Sequence, residues 1–164
     1  MKRAASAALV ALLALAGCSQ RRSADGGDWL ADATQRHALA DELLDRGDEP
    51  GARAQLAAVV VVERASRGNV DADDDRRRML QDTYYRLAGL DLRGQDASGA
   101  LLHAERGLAL GGGQDLFVAN LLVARGAAHE ARGEAPAAAA DFHAALLINE
   151  QLLADSLRDA GGAP

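Results

Sequence analysis

Beyond a short N-terminal run, the apolar residues of this chain recur at intervals of three and four, the spacing that gathers them on one face of an α-helix. Leu30, Ala33, His37, Ala40 and Leu44 mark the first such face, and Asp28, after Gly26-Gly27, stands where an N-cap is expected. Arg46-Gly47-Asp48-Glu49-Pro50 interrupts the pattern, and a second helical run follows from about Pro50 to Ser66. Further helices are predicted near 73–93, 97–110, 115–132 and 136–159, with glycine-marked turns at Gly94-Gln95, Gly111-Gly112-Gly113 and Gly133-Glu134. Val59-Val60-Val61-Val62 is β-branched, a composition that favours strands. A lone strand would leave its backbone groups unpaired, and no second β-branched run exists to pair with it. The segment is therefore predicted to lie in a buried second helix, and the fold class is all-α.

The N-terminus follows a different rule. Met1-Lys2-Arg3 is basic, and Ala4 to Ala16 is apolar apart from Ser6. That run is shorter than the ~20 residues a membrane-spanning helix needs, and it has the layout of a cleavable secretory signal, residues 1–17. Ser19 to Asp28 contains no large apolar residue, so residues 18–28 read as a tether, with Arg21 and Arg22 as ordinary solvated positions. Ten such residues reach roughly 35 Å fully extended and average roughly 18 Å as a flexible coil. The helical domain then occupies 29–160, and 161–164 is predicted to be a disordered tail.

Within the domain, three small residues recur at intervals of twelve and seven: Ala40, Ala52 and Val59; Ala88, Ala100 and Gly107; Gly126, Ala138 and Ala145. Each set spans two helices and the turn between them. Gly47 and Gly133 mark that turn, and Pro50 and Pro136 follow in register where a helix start tolerates proline. Small side chains on facing helices let the axes approach toward the lower end of the usual 8–10 Å. The pattern resembles the tetratricopeptide repeat, a helix–turn–helix unit of about 34 residues, with units at roughly 33–66, 81–114 and 119–152. Gly126, Gly133, Ala138, Phe142, Ala145 and Leu146 carry the likeness in the third unit; Tyr84, Leu87, Ala88, Ala100 and Leu108 carry it in the second. The first has Leu39, Ala40, Gly47 and Ala52, but Arg36 stands where the early aromatic is expected. No unit has the usual closing proline: Arg64, Gly112 and Glu150 take those places. The resemblance implies an array of about three helical hairpins, an α-solenoid. The alternative on these residues is a plain helical bundle with alanine-rich seams.

Leu15-Ala16-Gly17-Cys18 resembles the lipobox of bacterial lipoproteins. This implies that Cys18 is thioether-linked to diacylglycerol, becomes the first residue after cleavage and is N-acylated. Ser19, rather than Asp, follows it, which in known sorting systems favours the outer membrane over the inner, on the periplasmic face. No other cofactor is expected.

Composition narrows the chemistry. Removal of residues 1–17 leaves 147 of the 164 residues, one domain of ordinary size. Loss of Lys2 and Arg3 takes the formal charge from −6 to −8. An acidic chain with five aromatic residues and no remaining lysine is poorly suited to nucleic acid. Cys18 is the only cysteine, so the domain holds neither a disulfide nor a cysteine-ligated zinc. Asp71-Ala72-Asp73-Asp74-Asp75 lacks the alternating ligands, the glycine and the distal glutamate of a calcium loop. These carboxylates are expected to favour a helix start, with Arg76, Arg77 and Arg78 as solvated ion partners one turn on. Gly111-Gly112-Gly113 is a linker, because the Lys-Ser/Thr of a phosphate loop does not follow. His37, His103, His129 and His143 are scattered. His129 stands where the family packs an aromatic, so partial burial is expected of it. No nucleophile–base order or carboxylate dyad is recognisable, and no enzymatic activity is expected.

Surface remains. In the family the first helix of each unit lines a concave groove that receives a protein or peptide. Carried onto this chain, the groove-facing positions are His37, Asp41 and Leu44; Asp82, Tyr85 and Arg93; Asn120, Val123 and Glu130. The expected function is a membrane-anchored periplasmic scaffold or adaptor, serving the assembly of an envelope, pilus or secretion complex. The alternative is a metal- or small-ligand-binding or enzymatic envelope lipoprotein using His129 and His143. At the C-terminus, Leu152, Leu153 and Leu157 are expected either to fold back on the third hairpin or to contact a second subunit.

Overall fold

The computed structural model describes residues 26–65 and 74–161. Six helices follow one another, with no strand among the described residues: α1 (Gly26–Asp45), α2 (Glu49–Ala65), α3 (Asp74–Arg93), α4 (Ala97–Leu108), α5 (Leu116–Ala131) and α6 (Ala135–Gly161). The signal 1–17, Cys18, Ser19 to Asp25 of the tether, Asp71 to Asp73 and residues 162–164 lie outside them. Two boundaries differ from expectation. The first helix begins at Gly26, so Asp28 sits within its first turn and does not cap it. Gly161 belongs to α6 and not to the tail. The valine run is helical as predicted, but only Val59 and Val60 are buried; Val61 points outward, 64% exposed.

The helices pair as three hairpins, α1–α2, α3–α4 and α5–α6, and the three turns are built alike. The amides of Gly47, Gln95 and Gly133 donate to the carbonyls of Leu44, Leu92 and Glu130, and those of Asp48, Asp96 and Glu134 to Leu43, Asp91 and His129. This is the Schellman closure, which needs a left-handed residue just past the helix. Gly47 and Gly133 supply it at φ +77° and +76°. In the second turn the left-handed residue is Gln95 (φ 60°) rather than the neighbouring Gly94. Asp48 and Asp96 then cap α2 and α4, their carboxylates accepting from the amides of Gly51 and Gly99 at 2.9 Å.

The hairpins stack so that α1, α3 and α5 run parallel on one side. Each of α3 and α5 also packs on the second helix of the preceding hairpin. Among the described residues the backbones of α2 and α4, and of α1 and α6, do not approach one another. The helices therefore form an open array and not a closed bundle.

All nine small residues of the repeated spacing are buried. At Gly107 a Cβ would lie 2.6 Å from Leu121 Cδ2 and 3.1 Å from Tyr84 Cβ; at Gly126 it would lie 2.7 Å from the Phe142 ring. Leu56, Leu80, Leu90 and Leu121 fill the space between these seams.

Buried polar residues link elements far apart in sequence. Asp91 is bound on one oxygen by Arg53 of α2 at 2.5 Å and on the other by His103 of α4 at 2.6 Å. Asp141 of α6 takes both nitrogens of Arg125 of α5, at 2.8 and 2.5 Å. Gln81, fully buried, donates to the carbonyl of Gly111 at 2.8 Å. Arg76 and Arg77 are not solvated, contrary to expectation; only Arg78 of the three is exposed. The Arg76 guanidinium lies over the Trp29 ring, 4.8 Å from its centroid, a cation–π contact that removes it from water. Arg77 pairs with Asp74 (2.8 Å) and Asp115 (3.6 Å), bonds to Gln81 and lies against Gly112. The glycine linker is thus a seat for Arg77: a side chain at Gly112, already at φ +110°, would collide with it.

Two substitutions test this account. Gln95→Gly is expected to raise stability by about 0.5–1 kcal/mol, since it relieves a side chain held in the left-handed region; an unchanged or lower melting temperature would count against the turn geometry. Gly107→Val is expected to cost about 1–3 kcal/mol by overpacking against Leu121 and Tyr84. Denaturant titration reads both.

Candidate functional site

The parallel trio α1, α3 and α5 presents one continuous side of the array. It carries an open groove of about 340 Å³. Leu30, Thr34 and His37 of α1, Asp75, Arg78, Met79 and Asp82 of α3, and Phe117 of α5 line it. Apolar side chains from all three helices are combined there with both signs of charge, the makeup of a peptide-sized surface and not of an enclosed reaction chamber.

The floor is fixed by hydrogen bonds between α1 and α3. The Thr83 hydroxyl donates its proton to the carbonyl of Met79 at 2.7 Å. Its oxygen therefore accepts from His37 Nε2, 2.8 Å away. The other ring nitrogen of His37 lies 3.2 Å from Asp82. Asp82 also accepts from Arg86 at 2.9 Å, and Arg86 reaches Asp41 of α1 at 2.6 Å. Burial pushes the Asp82 carboxyl up, but the His37 ring and Arg86 outweigh it and hold the carboxyl below its ordinary value of 3.8. Burial likewise acts to lower Arg86, and the Asp41 and Asp82 carboxylates reverse it, raising the guanidinium. The groove wall is thus a chain of linked polar side chains, His37–Asp82–Arg86–Asp41, with Arg86 held between two carboxylates.

The predicted groove positions divide into four groups. Asp82 lines the groove, Asp41 is tied to it through Arg86, and Tyr85 and Val123 are exposed on α3 and α5, 36% and 42%. His37 lines the groove, as predicted, but is largely buried with its ring nitrogens turned to Thr83 and Asp82, and Leu44 is packed against the central core cluster. Their apolar-stripe spacing with Ala33 and Ala40 turns them inward. Arg93 is exposed but bound to Glu49 at the start of α2, 2.9 Å away, at the turn end of the array. Asn120 and Glu130 lie on α5, the first half-buried and the second exposed. Leu30, Arg78, Met79 and Phe117 were not among the predicted positions, although they line the groove. They precede the repeat units, because α1, α3 and α5 begin three to seven residues before the units do.

The histidines of the third hairpin do not converge. His129 Nδ1 is 2.6 Å from Glu134, and its Nε2 is 3.8 Å from Asp141. The ring, followed by Arg132, holds the Glu134 carboxyl below its ordinary value. His143 is exposed, two residues on from inward-facing Asp141 and so on the opposite side of α6. Among the described residues no group of three or more His, Cys, Asp or Glu side chains is placed to hold a metal ion. No helix among them is long and apolar enough to cross a membrane.

Comparison with known proteins finds no match: no family model, no curated protein and no solved structure matches this chain.

A depressed carboxyl stabilises the fold while ionised. The contribution of Asp82 is complete above its unfolded value, near 3.9, and is lost as pH falls through the lower folded value. Asp82→Asn is expected to cost about 1–2 kcal/mol at neutral pH and to flatten the acid limb of the stability–pH curve. Superimposable acid limbs for the two proteins would assign that limb to other carboxylates.

Proposed function

We propose that this chain is a lipid-anchored scaffold: Cys18 holds it at a membrane, a short tether spaces it from the surface, and a tetratricopeptide-like array offers the α1–α3–α5 side to a protein or peptide. The observation that carries the recognition part is the groove shared by three parallel helices, with Tyr85 exposed three residues on from Asp82 of its lining. Tyr is among the residue types most enriched in binding hot spots. The wall suits a partner with both polar and apolar contacts, because Arg86 already holds the Asp41 and Asp82 carboxylates and little of their pairing has to be rebuilt on binding. The anchor rests on the lipobox-like Leu15-Ala16-Gly17-Cys18, and the site of action is the periplasmic face, in an outer membrane where the cell has two. The partner class is an envelope protein, in keeping with an assembly role; nucleic acid is disfavoured by the acidic charge.

Two measurements test the two halves separately. Cys18→Ser is expected to move the protein from the membrane to the soluble fraction with its thermal melt unchanged; equal membrane retention would overturn the anchor. A photo-crosslinking residue at position 85, on the groove side, is expected to capture a partner in cells. One at position 102, exposed on α4, is expected not to. Identical products from both positions, or none from position 85, would overturn the groove.

A further inference from the structure

The groove does not sit midway along the parallel trio. Its lining belongs to the N-terminal part of each helix: Leu30 and Thr34 of α1, Asp75 and Met79 of α3, and Phe117, the second residue of α5. The other end of the trio, at Asp45, Arg93 and Ala131, is closed by the hairpin turns. Leu30 and Thr34 stand roughly 6 and 12 Å along the α1 axis from Gly26, and Asp45 roughly 28 Å. The chain enters α1 at Gly26, so the groove and the point of entry share one end of the array. Packing holds them there. Trp29 is buried beside Leu30 and Met79 with the Arg76 guanidinium over its ring, which pins the first turns of α1 and α3 together.

Taken with the lipid anchor and the groove proposed above, on which the inference rests, this placement limits what occupies the groove. Cys18 and Gly26 are eight residues apart, a stretch that spans at most roughly 28 Å in any conformation. Whichever way the array leans, Thr34 is then never more than about 40 Å from the lipid attachment. A partner site farther out is beyond reach, because a linker that cannot span two sites gives no effective concentration between them. The lining sets the chemistry. Leu30, Met79 and Phe117 offer apolar surface from three helices, while Asp75 and Arg78, both exposed, add both signs of charge. We infer that the occupant is an amphipathic segment of a second membrane-anchored protein, taken from the stretch that adjoins its own anchor in the same bilayer. A partner free in solution would be met equally well by a groove at the turn end; one fixed at the bilayer is favoured by a groove at the tether end. Anchoring both parties raises their effective concentration, so an open groove with modest apolar surface is sufficient.

Two variants of the full chain separate this inference from the readings beneath it. The first carries a photo-crosslinking residue in place of Thr34, which is exposed and lines the groove. The second adds a Gly-Ser insert of about 40 residues after Ala24. With the native tether, the adduct formed in cells is expected to map within roughly ten residues of the captured protein's membrane anchor, the length that spans the same height. With the insert, its yield is expected to fall roughly tenfold, since effective concentration declines at about the −3/2 power of tether length. Membrane retention and melting temperature are expected to stay unchanged. A yield indifferent to the insert, or an adduct on a soluble protein or far from any anchor, would overturn the inference and leave groove and anchor standing. No adduct with either tether would overturn the groove and the inference with it; membrane retention of Cys18→Ser would do the same for the anchor. Trp29, the single tryptophan, gives a partner-free check from its place beside Leu30. In phosphatidylethanolamine–phosphatidylglycerol vesicles, energy transfer from it to a headgroup dye is expected to be strong with the native tether and weak with the insert. Equal transfer from the two would overturn the limit set by the tether.

Discussion

The constraint on which this structure depends is the absence of side chains where its helices cross. At Gly107 of α4 there is room only for hydrogen, because Leu121 of α5 and Tyr84 of α3 close on the same point. With the α4–α5 seam drawn in to this distance, α5 touches both members of the preceding hairpin, and α3 and α5 become parallel neighbours. Parallel neighbours share a side. The groove lined by α1, α3 and α5 is in this sense a consequence of small residues on the seams behind it: a wider seam would lift α5 off α3 and split the surface in two.

Alanine and glycine seams bring helices close but say little about rotation or register, since one small residue packs much like the next. The buried polar groups supply that information. Asp91 requires Arg53 and His103 at once, which fixes α2, α3 and α4 relative to one another. Asp141 with Arg125 does the same for the third hairpin, and Arg77 with Gln81 locks the glycine linker against α3. Such pairs return little net stability against the loss of hydration, but breaking one leaves a buried charge uncompensated, so slipped arrangements are penalised. The carboxylate–arginine–carboxylate chain on the groove side likewise joins α1 to α3, but it is half-exposed, with Asp41 at the surface, so a slip there is penalised less.

What was legible in the sequence was what is decided locally. Helix spans follow from three-and-four periodicity, and the nine small residues announce their burial through spacing alone. The misses all depend on distant residues. Arg76 and Arg77 look like ion partners of the preceding aspartates, and Arg77 does pair with Asp74; their burial requires Trp29, Asp115 and the bare backbone at Gly112, none of them near in sequence. For His37 both readings hold: membership of the stripe with Ala33 and Ala40 buries it, and the repeat frame sets it in the groove it lines. That same frame starts after Leu30, Met79 and Phe117 and so omits half the groove. Gln95 occupies a left-handed position next to a glycine that is not used for it, a distinction only the backbone reveals.

The side and the end of the array differ in kind. On the side, Arg86 already holds the Asp41 and Asp82 carboxylates, and the exposed apolar positions Tyr85 and Val123 lie on different helices rather than in one stripe. The α6 face differs: Leu146, Leu153 and Leu157 are all exposed there, and Leu153 and Leu157 lie beyond Leu152, the last residue packed against α5. The positions that match Leu146 one and two hairpins earlier, Leu108 and Val60, are packed in the core clusters. The same helix face therefore changes from seam to surface along the described array, because what buries it inside the array is the hairpin that follows.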